Sequence, residues 1–311
     1  MTDRPTTKPP RQGFRLGASV IVRALRLHQW IKNILVFLPL VAAHQLSAPG
    51  VLSSSLLIDA LIVFVSFSLC ASGTYIINDL CDIEADRLHP TKCRRPFATG
   101  SLSIRTGLVL ALGNNICGVG IALLFPTHFY LFILAYMLLT LAYSLGLKQV
   151  PILDIIILAS LYTLRILGAG CALSIIISPW LIAFSMFFFF SLASVKRLTE
   201  LREARNRGCA ALQRRGYGDA DLEVISQSGS AGGYISVLVL VLYANDPAVT
   251  RLYSSPQILW CAGPVLVYWI GRLFLLANRG KLNADPLVFA LRDRVSYYVA
   301  IALGVVVLLA A

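Results

Sequence analysis

The sequence predicts an all-α integral membrane protein with nine spanning helices, and three observations predict it. First, 57% of its 311 residues are apolar and only 14% are Asp, Glu, Lys or Arg, whereas about a quarter of a soluble domain is charged. Second, apolar runs long enough to cross about 30 Å of hydrocarbon recur along the whole chain. Third, the basic residues gather in alternate loops.

Residues 1–22 are polar and basic, with Pro5, Pro9 and Pro10. They lack the short apolar core of a signal peptide and are expected to form a disordered lead. Residues 23–311 are expected to form a single transmembrane domain. The apolar runs place its spans at 31–47, 51–77, 104–125, 128–146, 152–174, 176–195, 230–246, 256–277 and 295–311. Short connections at 44–50, 125–128 and 175–179 alternate with longer polar ones, which puts the two kinds of loop on opposite sides.

The charges agree with that arrangement. All but two of the 27 Lys and Arg fall before span 1, in the loops after spans 2, 4, 6 and 8, or, as Lys32, Arg105 and Arg272 do, at the span ends that border those segments; the two others are Arg165, in the middle of span 5, and Arg251. The positive-inside rule then makes the lead and the long loops cytoplasmic and puts the C-terminus outside. The net charge of +12 follows mostly from topology, so nucleic-acid binding is not expected. A basic cytoplasmic face would gather anionic lipid and phosphorylated substrates. The seven cysteines show no CxxC or metal-ligand spacing, so neither a disulfide framework nor zinc is expected.

The stretch "NDLCDIEADRLHPTKCRRP" (78–96) breaks the pattern, with four of the fifteen acidic residues directly after span 2. Asn78, Asp82 and Asp86 are spaced i, i+4, i+8, one stripe of a helix continuing out of the span. Stacked carboxylates repel unless a cation sits among them, and Mg²⁺ takes one or two carboxylates together with waters and substrate phosphates. Lys92, Arg94 and Arg95 follow at once as phosphate donors. Asp79 adjoins the stripe and Glu84 is turned away from it. The alternative, a solvated charged loop, does not account for a stripe that starts at the membrane boundary beside a basic clamp.

With those residues in view, the chain resembles the UbiA superfamily of intramembrane prenyltransferases, whose first aspartate-rich motif is NxxxDxxxD. "RLHQWIKN" (26–33), "YIINDLCDIEADRLHPTKCRRP" (75–96), "AYSLGLKQVPILD" (142–154), "VKRLTEL" (195–201) and "DPLVFALRDR" (285–294) are most similar to the branch containing bacterial decaprenyl-phosphate phosphoribosyltransferase. The resemblance implies a bundle of nine helices around a cavity opening to the cytoplasm, with a side opening to lipid, in a bacterial-type inner membrane. It also implies Mg²⁺ at Asn78, Asp82 and Asp86.

One departure stands out. Aromatic prenyltransferases of the superfamily carry a second motif, DxxxD, in the loop after span 6, where this chain has Lys196, Arg197 and Glu200. Cations there would bind phosphate oxygens directly. That balance suits two phosphorylated substrates, phosphoribosyl diphosphate and a membrane polyprenyl phosphate. The expected reaction is phosphoribosyl transfer, with prenyl transfer from a polyprenyl diphosphate as the alternative. A transporter or scaffold without chemistry would not explain the stripe.

Further substrate ligands are expected at Lys32, Lys92, Arg95, Tyr143, Lys148 and Arg165. A mid-span charge such as Arg165 is costly unless it faces a cavity with a partner. Asp154 is expected to pair with Lys148 or to hold a substrate group. Asp82, Asp86 and Asp79 are the expected catalytic carboxylates, and if a carboxylate steadies positive charge at the ribose C1, Asp86 or Asp79 is the candidate. His89 and Pro90 are expected to shape the turn after the metal helix, Asp285, Asp293 and Arg294 to contact substrate or pack the last cytoplasmic loop, and "MFFFF" (186–190) to be apolar bulk.

Overall fold

The structure is a computed structural model that describes residues 17–42, 54–88, 92–125, 128–206, 215–246, 253–282 and 285–310. Most of the basic lead, His89, Pro90, Arg207, Arg214 and Arg251 therefore lie outside the described residues.

Helices dominate the described residues. In chain order they are α1 (Ala18–Leu25), a 3₁₀ segment (Leu27–Phe37) running into α2 (Leu38–Ala42), α3 (Ser54–Cys81), α4 (Ile83–Leu88), α5 (Ile104–Ala122) and α6 (Phe129–Leu145). Then come α7 (Leu153–Ala172), α8 (Pro179–Asn206), α9 (Asp221–Tyr243), α10 (Ala262–Asn278), α11 (Pro286–Ala290) and α12 (Arg294–Ala310). Among the described residues, six helical segments are long and apolar enough to cross a membrane: 55–81, 104–122, 153–172, 179–206, 221–243 and 256–278. Three shorter apolar ones, 27–41, 129–145 and 294–310, coincide with the other expected spans. Leu108, Leu112 and Ile116 of α5 and Tyr298, Ile301 and Leu308 of α12 stand exposed. An apolar surface of that extent is unlike a soluble monomer and suits contact with lipid.

The boundaries differ from the expected ones in instructive ways. The first segment is 3₁₀, not α, over residues 27–37; three residues per turn align Asn33 with Val36, both buried, on one inward stripe. Helix α8 continues past 195 to Asn206, so Lys196, Arg197 and Glu200 lie within a helix and not in a loop. Helix α9 begins at Asp221, before the expected 230, because its first turns carry Asp221, Glu223, Ser226, Gln227 and Ser228 and so little hydropathy; its inward face is made of the small residues Gly229, Gly232, Gly233 and Ser236.

Those glycines let α9 lie against α8. A Cβ on Gly229 would stand 2.4 Å from Cβ of Ser194, and one on Gly233 would stand 2.7 Å from Oγ of Ser191. Close packing of this kind is a usual source of helix association in lipid, where burial of apolar surface offers no drive. The largest core joins α7, α8, α9 and α10 through Ile166, Phe189, Leu198, Ile225, Trp269 and Leu273. A second joins α3, α6 and α7 through Phe67, Phe129, Tyr136 and Leu161. Phe188 and Phe189 stack on Trp269 and Tyr162, which makes the aromatic run of α8 packing bulk. Between the two cores the helix ends part to leave a polar cavity.

Candidate active site

Helix α3 sets the first wall. Its hydrogen-bond ladder continues through the expected stripe: the amide of Asp82 donates to the carbonyl of Asn78 at 3.1 Å, and that of Asp86 to Asp82 at 2.8 Å. The three residues are therefore stacked turn on turn, as i, i+4, i+8 spacing requires. Their side chains have different surroundings. Asn78 and Asp82 line a cavity of about 320 Å³, whereas Asp79 and Asp86 are buried and absent from its lining.

Arginines hold the two buried acids. Arg95 Nη1 donates to Asp86 at 2.6 Å and to Asp79 at 3.0 Å. Arg26 Nε donates to the other oxygen of Asp79 at 3.1 Å. Arg26 occupies a left-handed corner, φ 52° and ψ 46°, between α1 and the 3₁₀ segment. That strained turn aims its guanidinium across Tyr75, 5.5 Å from the ring centre. Asp82 accepts from Lys148, whose Nζ lies 2.9 Å from both carboxylate oxygens. Each acid of the motif thus has a cation beside it, which answers the repulsion of stacked carboxylates.

The opposite wall comes from α6, α7 and α8. Arg165, buried in mid-helix, donates to Asn33 at 2.7 Å and to the hydroxyl of Tyr136 at 3.0 Å. Neutral acceptors satisfy its donors and leave the charge facing the cavity. Arg197 is fully buried behind the wall. Its guanidinium bonds Asp154 and Glu200, and it donates to Tyr143 at 2.6 Å. Tyr217 donates to the other oxygen of Asp154. Asp154 therefore partners Arg197, and Lys148 partners Asp82, in place of the expected Asp154–Lys148 pair.

The segment around α11, between α10 and α12, closes the site. Asp285 accepts from Lys32 at 2.8 Å and lies 3.5 Å from Lys196. Burial alone would raise its pKa, but Lys196 and then Lys32 hold the carboxyl well below the usual range. Lys92 moves the other way: burial, followed by the neighbouring Arg95, pushes its pKa below the ordinary lysine value. Asp293 pairs with Arg272 and Ser296 in the loop, away from the cavity.

Of the residues expected at the site, Lys32, Asn78, Asp82, Lys92, Arg95, Tyr143, Lys148, Arg165, Lys196 and Glu200 line the cavity. Asp79, Asp86 and Arg197 stand behind it and support those that do. The structure adds Arg26, Tyr75, Tyr136, Thr140, Ser144, Tyr162 and Arg215. Tyr136, Thr140 and Ser144 are spaced i, i+4, i+8 on an apolar helix, a polar stripe visible in the sequence. Arg215 meets Tyr143 from the loop before α9, and no spacing announces that.

Eight basic and three acidic side chains line the cavity, a surplus suited to polyanions. Among the described residues no group of three His, Cys, Asp or Glu is arranged to hold an ion. Asn78 and Asp82 do offer oxygen ligands to the cavity, and a cation that completes its shell with phosphates and water fits that donor set. Beside Lys32 and Leu287 the cavity adjoins an apolar groove of about 300 Å³ between the 3₁₀ segment, α10 and α12, lined by Leu35, Phe188, Trp269 and Leu303.

A sequence model of the UbiA prenyltransferase family matches residues 36–292. Nodulation protein NoeC of Azorhizobium caulinodans is 33% identical over 292 residues, 92% of this chain and 92% of its own. Decaprenyl-phosphate phosphoribosyltransferase of Mycobacterium tuberculosis is 31% identical over 306 residues, 97% of this chain and 96% of its own. Protein y4nM of Sinorhizobium fredii is 38% identical over 276 residues, 88% of this chain but 52% of its own, so the chain spans about half that protein's length. The solved structure of a UbiA homolog from Archaeoglobus fulgidus bound to GPP and Mg²⁺ shares the fold. Its TM-score is 0.65 over 94% of this chain and 98% of that one, at 16% identity.

Proposed function

The chain belongs to the UbiA prenyltransferase family, a multi-pass membrane transferase, and on that premise we propose that it transfers a phosphoribosyl group from phosphoribosyl diphosphate to a membrane polyprenyl phosphate. The observation that carries this reading is the cavity's charge: eight basic against three acidic side chains, with Lys196 where the family's aromatic prenyltransferases have a second acidic motif. Two phosphorylated substrates repel each other, and a cationic cavity offsets that repulsion. The likeness to the mycobacterial phosphoribosyltransferase over almost the whole chain supports the same reading. In this proposal nine segments span a bacterial inner membrane and the cavity opens to the cytoplasm.

The lipid phosphate oxygen attacks C1 of the ribose; the new C1–O bond forms as the bond to diphosphate breaks. No protein nucleophile is required. Asn78 and Asp82 would hold Mg²⁺, which when bound neutralises charge on the departing diphosphate. Lys92, Arg95 and Lys148 orient the phosphates, and Tyr75 and Tyr143 shape the space around the ribose. Asp79 and Asp86 keep Arg26 and Arg95 in place from behind. The apolar groove receives the polyprenyl chain.

The test supplies ribose-labelled phosphoribosyl diphosphate and polyprenyl phosphate to the purified protein with Mg²⁺, beside an Asp82→Ala control. Labelled lipid from the parent protein, lost in the variant, is expected. Transfer from a prenyl diphosphate to an aromatic acceptor, with no labelled lipid, would overturn the reading.

A further inference from the structure

Asp285 stands where the polar cavity and the apolar groove meet. Pro286 and Leu287 line the cavity, Leu287 and Ala290 line the groove, and Lys32 borders both. One oxygen of Asp285 accepts from Lys32 at 2.8 Å and lies 3.5 Å from Lys196. The other caps α11, accepting from the Leu287 amide at 3.1 Å. A single carboxylate oxygen thus faces two ammonium groups, whereas Lys148 bonds both oxygens of Asp82. Positive charge at the junction exceeds negative charge by one.

A ligand with an apolar chain in the groove would bring its head group to this junction. A phosphate monoester carries between one and two negative charges near neutrality and three acceptor oxygens. It can accept from both lysines at once and outcompete one carboxylate oxygen. The diphosphate of the donor has its own cations around Asn78 and Asp82, on the far wall.

We infer that Lys32 and Lys196 form the subsite for the phosphate of the lipid acceptor, and that Asp285 is the built-in counterion that occupies it until the lipid arrives. The inference rests on the proposed phosphoribosyl transfer and divides that site between its two substrates. Asp285 is a positioning residue: it holds the two lysines apart from the donor's phosphates and yields them to the acceptor.

The experiment measures apparent KM for polyprenyl phosphate and for phosphoribosyl diphosphate separately, in the parent protein and in Lys32→Gln, Lys196→Gln and Asp285→Asn. Loss of either lysine removes a charge-assisted hydrogen bond and is expected to raise KM for the lipid roughly tenfold, with KM for the donor unchanged. Asp285→Asn keeps the cap oxygen of α11 but removes the competing charge, so KM for the lipid is expected to fall severalfold. That opposite sign separates the proposal from a merely structural role, which would impair both substrates. Lys32→Arg, which keeps the charge, is expected to retain most of the lipid affinity.

A rise in lipid KM for Asp285→Asn, or a shift in donor KM for the lysine variants, would overturn the subsite assignment and leave phosphoribosyl transfer standing. No labelled lipid from the parent protein would overturn both.

Discussion

Arg197→Met tests whether the buried network behind the cavity supports the site or binds substrate. Arg197 and Asp154 are both fully excluded from solvent. The guanidinium also serves Glu200 and, at 2.6 Å, Tyr143. Removing one partner of a buried pair leaves the other charge uncompensated, at a cost of about 3–5 kcal/mol. Asp154 keeps its bond from Tyr217, which places the expected loss near the lower end, about 3 kcal/mol. Asp154→Asn removes the stranded charge, so the double variant is expected to lose less than the sum of the single losses, by about 2 kcal/mol. Reversible unfolding of the purified protein from mild into denaturing detergent measures all three. If Arg197→Met leaves stability within about 0.5 kcal/mol of the parent and raises KM for the donor, the reasoning is refuted and Arg197 is a substrate ligand.

Two more predictions concern charge and packing. Lys92, whose pKa is pushed down by burial, holds an anion only while protonated, so donor KM should climb as pH rises, and should do so below the range in which an ordinary lysine loses its proton. Lys92→Arg keeps its charge throughout that range and should move the climb to higher pH; identical profiles would remove Lys92 from donor binding. Gly229→Ala places a methyl 2.4 Å from Ser194 Cβ and should destabilise the α8–α9 contact by about 1–3 kcal/mol. Ser194→Gly should recover only part of that in the same unfolding assay, because the new methyl also meets Phe274 Cζ at 2.8 Å.

Much of this protein is written in local periodicity. The apolar runs marked the helices, because a backbone in lipid must satisfy its own hydrogen bonds and needs about twenty apolar residues to do so. Spacing of four put Asn78 and Asp82 on one line, and the same rule, applied to Tyr136, Thr140 and Ser144, would have found a second polar stripe. The motifs at 26–33, 75–96, 142–154, 195–201 and 285–294 were enough to recognise the family.

Which charge meets which was not legible in that way. Asp86 belongs to the same stripe as Asp82, yet faces Arg95 while Asp82 faces the cavity, and Asp79 finds Arg26 across 53 residues. Lys32 meets Asp285 across 253 residues. Asp154 chose Arg197 over Lys148. Helix periodicity assigns each side chain a direction, but a charge pairs with whatever the packed neighbours bring within about 4 Å, where Coulomb attraction outweighs desolvation. Those separations are set by how closely the helices approach, and here glycines such as Gly229 and Gly233 allow that approach.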